Sequence, residues 1–352
     1  MLFWLSCARI ASVRRTDGLS GSLFLFFHPF DWGGRVLDIV GKRYWYFGLS
    51  LLVIVPGLIA LGMHWVQTGQ PFNLSIDFTG GTVLELKFAK PQQFRTDEVI
   101  GILSQFGMSA NDVNVQPSGE DSLVIRTKEI DIATKISIED ALRSRYGEFV
   151  EQSAETVGPA IGAEVAQRAS VAVILAALGI LLYVTWAFRR VPQPFRYGVA
   201  AIIAMIHDVL VVLGTAAIFG IIFGWEVDSL YLTALLTVIG FSVHDTIVVF
   251  DRIRENMARL RGVRFEDVVN HSILQTLDRS INTQLTVLFT LAALVLFGGV
   301  TIRHFVLTLF IGIISGSYSS IFNASPILVV WENNEIGKFF SRLFGRRSEA
   351  TV

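Results

Sequence analysis

Six runs of about twenty predominantly apolar residues dictate what this chain can fold into. The hydrocarbon core of a bilayer is ~30 Å thick and needs roughly 20 residues of helix to cross it. Inside it every backbone N–H and C=O must be satisfied within the chain, which leaves helices as the spanning element for such runs. The runs lie at about 46–65, 169–188, 197–219, 230–250, 281–299 and 305–330. Charged residues make up 17% of the 352, against about a quarter in a soluble protein, and mean hydropathy is +0.54. A soluble enzyme and a disordered chain are therefore set aside. The net charge of −1 gives no reason to expect nucleic acid as a partner. The one cysteine, Cys7, excludes an internal disulfide and a Cys-built metal site. The first 30 residues lack the basic start, full apolar core and small-residue cleavage site of a signal peptide. The apolar stretch 23–30 is too short to span and reads as interfacial or poorly ordered.

Positive charge orients the bundle. Residues 1–45 hold six Lys/Arg, and the loops after the second and fourth spans and the tail after 331 are rich in arginine. With six spans these segments share one side, which predicts that both termini are cytoplasmic. The chain then divides into a cytoplasmic N-terminal segment (1–45), a first span (46–66), an outer domain (67–167), five further spans (168–331) and a cytoplasmic tail (332–352). The outer domain carries eight Lys/Arg against fifteen Asp/Glu, a net −7. Strands are predicted at 82–88, 113–116, 123–127 and 149–156, with helices at 96–106 (Thr96 as N-cap) and 138–146. The order β-α-β-β-α-β predicts an α+β ferredoxin-like domain, read as a packing or docking unit without chemistry. The predicted fold class is thus an α-helical membrane protein with one such domain between helices 1 and 2.

Four titratable residues fall inside predicted spans: His207 and Asp208 in the third, His244 and Asp245 in the fourth. A charge at mid-membrane costs roughly 2.5 kcal/mol or more. Such a group must face protein or water, or become neutral, and a carboxyl balanced between burial and a nearby Arg can exchange a proton near neutral pH. Arg279, at the start of the fifth span, is the candidate counter-charge. The bland alternatives are a helix-packing hydrogen bond for Asp208 and Asp245, snorkelling for Arg279, and a solvated cap for Asp251 and Arg252. A metal site is disfavoured. Adjacent residues on a helix point about 100° apart, so each His-Asp pair offers one ligand to any point, too few for a stable site. Gly312 and Gly316, with Ser315, Ser317, Ser319 and Ser320, mark a close helix contact. Gly158, Pro159 and Gly162 mark a rigid joint between outer domain and membrane. Pro56 and Pro326 are candidate kinks.

Several of these motifs carry a resemblance. Asp77-Phe-Thr-Gly80-Gly81-Thr82, Val157-Gly158-Pro159 with Ile161, Gly162 and Glu164, and the run Gly240-Phe-Ser-Val-His244-Asp245-Thr-Ile-Val-Val-Phe-Asp251-Arg252-Ile-Arg-Glu-Asn256 resemble the SecF family, the smaller membrane subunit of SecD–SecF protein-export complexes in the RND superfamily. Arg279-Ser-Ile-Asn-Thr283 fits that family's fifth span, and the likeness runs from about 36 to 331. It implies a subunit that works with SecD, uses the proton gradient, and assists preproteins through the SecYEG channel. Protons are then the coupling ion, with no cofactor, metal or enzymatic reaction. By motif position Asp245 resembles the proton-coupling aspartate and Arg279 the functional arginine; Asp208 also matches a family pattern. His244 stands where the family often has Asn, and Gln284 and Val287 where small hydroxyl residues are frequent. One charge crossing about 100 mV releases about 2.3 kcal/mol, enough to shift a two-state equilibrium more than tenfold. No Walker-type phosphate loop is present. The alternatives are a stand-alone RND-type exporter of small molecules and a non-conducting assembly subunit. The expected location is the cytoplasmic membrane, with the thylakoid membrane as the alternative.

Overall fold

The computed structural model describes residues 37–109, 113–118, 121–335 and 338. The apolar stretch 23–30 lies outside the described residues. Among the described residues six helices are long and apolar enough to cross a membrane. They are α1 (Arg43–Thr68), α5 (Pro159–Ala187), α6 (Pro194–Phe223), α7 (Ser229–Arg259), α8 (Phe265–Phe297) and a composite sixth. The last is α9 (Val300–Ser319), a π-helical turn (Ser320–Ala324) and α10 (Ser325–Glu332). Proline explains the break. Pro326 has no N–H to give and its ring crowds the carbonyl four residues back, and the wider turn just before it relieves both. Pro56, in contrast, lies within an unbroken α1.

Three helices make the interior. α6, α7 and α9 bury about half of their apolar stretches, whereas α1, α5 and α8 leave most of theirs facing outward. Small residues permit this. Gly57 of α1 and Gly214 of α6 meet backbone to backbone, a Cβ at 57 falling 2.6 Å from the Gly214 Cα. A Cβ at Gly312 would strike Val238, and one at Gly316 would lie 3.3 Å from the Ser242 Cα. The predicted close contact at Gly312 and Gly316 is therefore the α7–α9 seam.

Between α1 and α5 lie a short helix α2 (Ile76–Thr79), β1 (Gly81–Phe88), α3 (Thr96–Ser104), β2 (Val113–Ser118), β3 (Ser122–Thr127), α4 (Ile132–Tyr146) and β4 (Phe149–Val157). The sheet is antiparallel throughout in the order β2-β3-β1-β4, the ferredoxin-like arrangement. Leu84 and Leu86 of β1, Leu123 and Ile125 of β3, Leu103 of α3 and Leu142 of α4 close its separate core. Two local expectations are corrected. The N-cap of α3 is Arg95, without a side-chain cap bond, and Thr96 is the first helical residue. α4 starts six residues earlier than the apolar spacing indicates, because the Asp131 carboxylate accepts from the Thr134 N–H and fixes the first turn there.

The joint between domain and bundle is made of backbone. Gly80 and Gly81 have φ of +73° and +128°, and a Cβ at Gly80 would lie 2.6 Å from the Pro159 Cα. A Cβ at Gly162 would lie 2.8 Å from the Gly80 N. So α2 and Gly80 seat on the first turn of α5, while a Cβ at Gly81 would lie 2.5 Å from the Thr127 carbonyl oxygen of β3. That helix begins at Pro159, with Gly158 as N-cap, about ten residues before the apolar run.

Candidate functional site

Among the described residues Asp208 is the most completely enclosed ionisable group of the bundle. It sits midway along α6 and takes hydrogen bonds from three other residues' hydroxyls. Ser242 Oγ of α7 donates to Oδ2 at 2.5 Å, Ser319 Oγ of α9 to Oδ2 at 2.6 Å, and Ser315 Oγ of α9 to Oδ1 at 2.6 Å. His207 Nδ1 lies 2.9 Å from Oδ1. Adjacent side chains, expected to diverge around the helix, here meet through a bent-back imidazole. The cage is possible because α9 carries its serines one turn apart and Gly316 between them lets α9 approach α7. One carboxylate thus ties the three interior helices together.

Asp245 is also buried, at 5% exposure, but is turned toward α8 rather than into the Asp208 cage. The groups nearest it are Ser280 and Gln284 of α8, with His244 and Arg279 acting from farther away. Asp245 Oδ2, Ser280 Oγ and Gln284 Oε1 are all buried without a hydrogen-bond partner. Unpaired polar atoms in such a setting are rare. Carboxylate and amide oxygens both accept, so they cannot bond to each other directly. The Ser280 hydroxyl and the Gln284 amide NH2 are the donors nearest the carboxylate, and a protonated carboxyl could in turn donate to either oxygen.

The other predicted residues are placed as follows. Arg279 is exposed, and among the described ion pairs none joins it to Asp245. His244 is exposed as well, on the outer side of α7. Gly240 is exposed, with open space where a Cβ would stand. Asp251 is exposed and pairs with Arg254, while Arg252 pairs with Glu255 at 2.6 Å. Asp77 does more than mark a motif. Its Oδ2 accepts from the Ser229 N–H at 2.8 Å, so the α2 segment caps the first turn of the helix that carries Asp245. Asp228 accepts from the Tyr231 N–H at 2.6 Å on the same turn. Sequence reasoning named Ser315 and Ser319 only as small residues and left Ser280 and Gln284 without a role. Their spacing toward one helix face was the available signal.

Comparison with known proteins matches these features. The family model "Protein export membrane protein SecD/SecF, C-terminal" covers residues 137–334, and the "SecD/SecF GG Motif" covers 65–92. The second range contains Asp77, Gly80 and Gly81. Protein translocase subunit SecF of Thermobaculum terrenum is 52% identical over 319 residues, covering 87% of this chain and 98% of that protein. Its counterpart in Anaerolinea thermophila is 50% identical over 309 residues, with the same coverage. Among solved structures, the crystal structure of SecDF, a translocon-associated membrane protein from Thermus thermophilus, superposes with a TM-score of 0.72 at 34% identity over 85% of this chain. A structure of SecDF in a super-membrane-facing form gives 0.59 at 32% over 88%. The chain spans about two fifths of those SecDF chains, 39% and 40%. The sequence identity, the GG motif seated on α5 and the six-helix bundle agree: the chain belongs to the SecD/SecF family of protein-export membrane proteins, on its SecF branch.

Proposed function

We propose that the chain works beside a SecD subunit and couples proton passage through its bundle to the export of preproteins through SecYEG. A Sec export accessory role and a multi-pass membrane setting come with family membership. The observation that carries the proton reading is Asp245. It is a carboxyl inside an apolar span, buried and turned toward Ser280 and Gln284, with one oxygen left without a hydrogen-bond partner. Pairing with SecD is supported by a polar stripe on the outside of α7 and α8. Thr233, Gly240 and His244 on one helix and Arg279, Asn282, Thr283 and Thr286 on the other are exposed within or beside the spans. Facing acyl chains, such groups carry a cost that a partner's helices would remove. Protons are the coupling ion, and the subunit needs no cofactor or catalytic step of its own. Both termini are cytoplasmic, in the cytoplasmic membrane.

Asp245→Asn keeps the shape of the side chain and removes its titration. With SecD co-purified, the variant is expected to assemble normally and to lose gradient-dependent stimulation of preprotein export in proteoliposomes. Normal stimulation would overturn the reading. A stable homodimer without SecD would favour small-molecule export. An unchanged Asp245→Asn/Arg279→Gln double variant would leave only an assembly role.

A further inference from the structure

α5 turns one face outward along its second half. Leu175, Leu178, Leu182 and Trp186, spaced three and four residues apart, are each more than half exposed. Gly179 falls on the same face, exposed and with nothing within 4 Å of where a Cβ would stand. It serves no close approach of another described helix and leaves a notch between the leucines. From Leu175 to Trp186 the face runs about 16 Å, close to half of a ~30 Å hydrocarbon core. That is the depth of one leaflet's acyl chains.

Where this face ends, positive charge begins. The Arg189 guanidinium lies over the Trp186 ring, 4.5 Å from its centre, and its Nη1 donates to the Trp186 carbonyl at 3.3 Å. Arg190 follows and is exposed. Arg254 of α7 lies 6.0 Å from the centre of the Phe188 ring, beside the same turn. Several arginines at this end of the bundle are matched: Arg43 by Glu335, Arg196 by Glu332 and Arg254 by Asp251. Among the described residues no carboxylate pairs with Arg189 or Arg190. The turn that presents them is fixed. Phe188 and Val191 are buried, Phe188 stacks on Tyr197 at 5.3 Å, and the Val191 N–H donates to the Phe188 carbonyl at 2.9 Å. Two uncompensated guanidiniums favour a headgroup of net negative charge over a zwitterion, whose own cation they repel.

We infer that the outward face of α5 and the Arg189–Arg190 turn bind an anionic phospholipid of the leaflet opposite the inserted domain. Its phosphate lies against the two guanidiniums, whose planar forked donors match phosphate oxygens. One acyl chain lies along Leu182, the Gly179 notch and Leu175. The first turn of the same helix carries the joint to the inserted domain. The lipid therefore holds the foot of the rod whose head carries that domain.

The test places the full chain with SecD in phosphatidylcholine vesicles that contain phosphatidylglycerol brominated on its acyl chains, and reads tryptophan fluorescence. The Trp186 signal is the difference between wild type and Trp186→Phe. A bromine on the acyl chain reports a lipid and not a free phosphate. Brominated phosphatidylglycerol is expected to half-quench that signal at a mole fraction at least about fivefold below that of brominated phosphatidylcholine, the effect of one basic residue at an anionic surface. Arg189→Gln/Arg190→Gln is expected to erase the difference and to leave the unfolding midpoint unchanged, since both side chains are exposed. Equal quenching by the two lipids in the wild type would overturn the site and leave an ordinary lipid-facing helix. No quenching by either would overturn it as well and give the face to a protein partner. A lipid preference that survives in the double variant would overturn the assignment to these two arginines.

Discussion

At residue 80 the chain has no room for a side chain. The positive φ and the Pro159 Cα only 2.6 Å from a Cβ both act against Gly80→Ala. Backbone strain of about 1 kcal/mol and overpacking of roughly 1–3 kcal/mol add in the same direction. Gly101 is the contrast. It lies inside α3 with nothing within 4 Å of a Cβ, so Gly101→Ala should stabilise the domain by up to about 1 kcal/mol. Thermal unfolding of the two variants checks both signs. The comparison also gives the paired glycines a physical meaning. Gly80 lets α2 lie on the backbone of α5, and Gly81 lets β1 close on the Thr127 carbonyl of β3. The sequence marked Gly80 and Gly81 as special without showing why, because the backbones they fit, at Pro159 and Thr127, lie far along the chain.

At the scale of elements, α7 is held from outside itself. Asp77 and Asp228 both accept from its first-turn N–H groups, where negative charge is favoured. Asp77→Ala should cost about 1 kcal/mol, seen as a lower unfolding midpoint, while Asp77→Asn should restore much of it. The existence of each long helix was legible because its apolar run matches the bilayer. Several ends were not. α7 continues nine residues past its apolar run and α8 begins sixteen residues before its own, where the sequence is charged. Pairs such as Arg252–Glu255 and Arg264–Asp267 support those turns instead. The site follows the same logic. Asp208 and Asp245 stand out as acids in apolar runs, but Ser315 and Ser319 reach Asp208 across more than a hundred residues. Single-helix patterns do not carry that information. Arg279, the expected counter-charge of Asp245, is exposed, and among the described residues no ion pair joins the two.

On the scale of the molecule, the inserted domain is fastened to the bundle by more than the α2–α5 joint. Arg126 of β3 pairs at 2.5 Å with Glu226 in the α6–α7 loop, their side chains 23% and 18% exposed. The Ser75 N–H donates to the Val227 carbonyl beside it. Burial pushes the Glu226 carboxyl up from its ordinary value, and Arg126 opposes that rise. The folded protein therefore holds the proton to higher pH than the unfolded chain does, and stability from this group falls as pH rises through that interval. Arg126→Gln removes the opposing cation and extends the interval upward. Its midpoint should lie near wild type at pH 5 and clearly below it at pH 8. The loss should be smaller than the ~3–5 kcal/mol of a fully buried pair, because some surface remains wet. The π-helical turn at Ser320–Ala324 has a wider bearing. It stores one surplus residue in the last membrane rod. Paying that residue back into regular winding would rotate the upper rod by about 100° about its own axis. Ser315 and Ser319 would swing off the acid they clasp, yet no part of the chain would need to melt. A screw of that kind converts a change at a single carboxyl into a twist along half the thickness of the membrane.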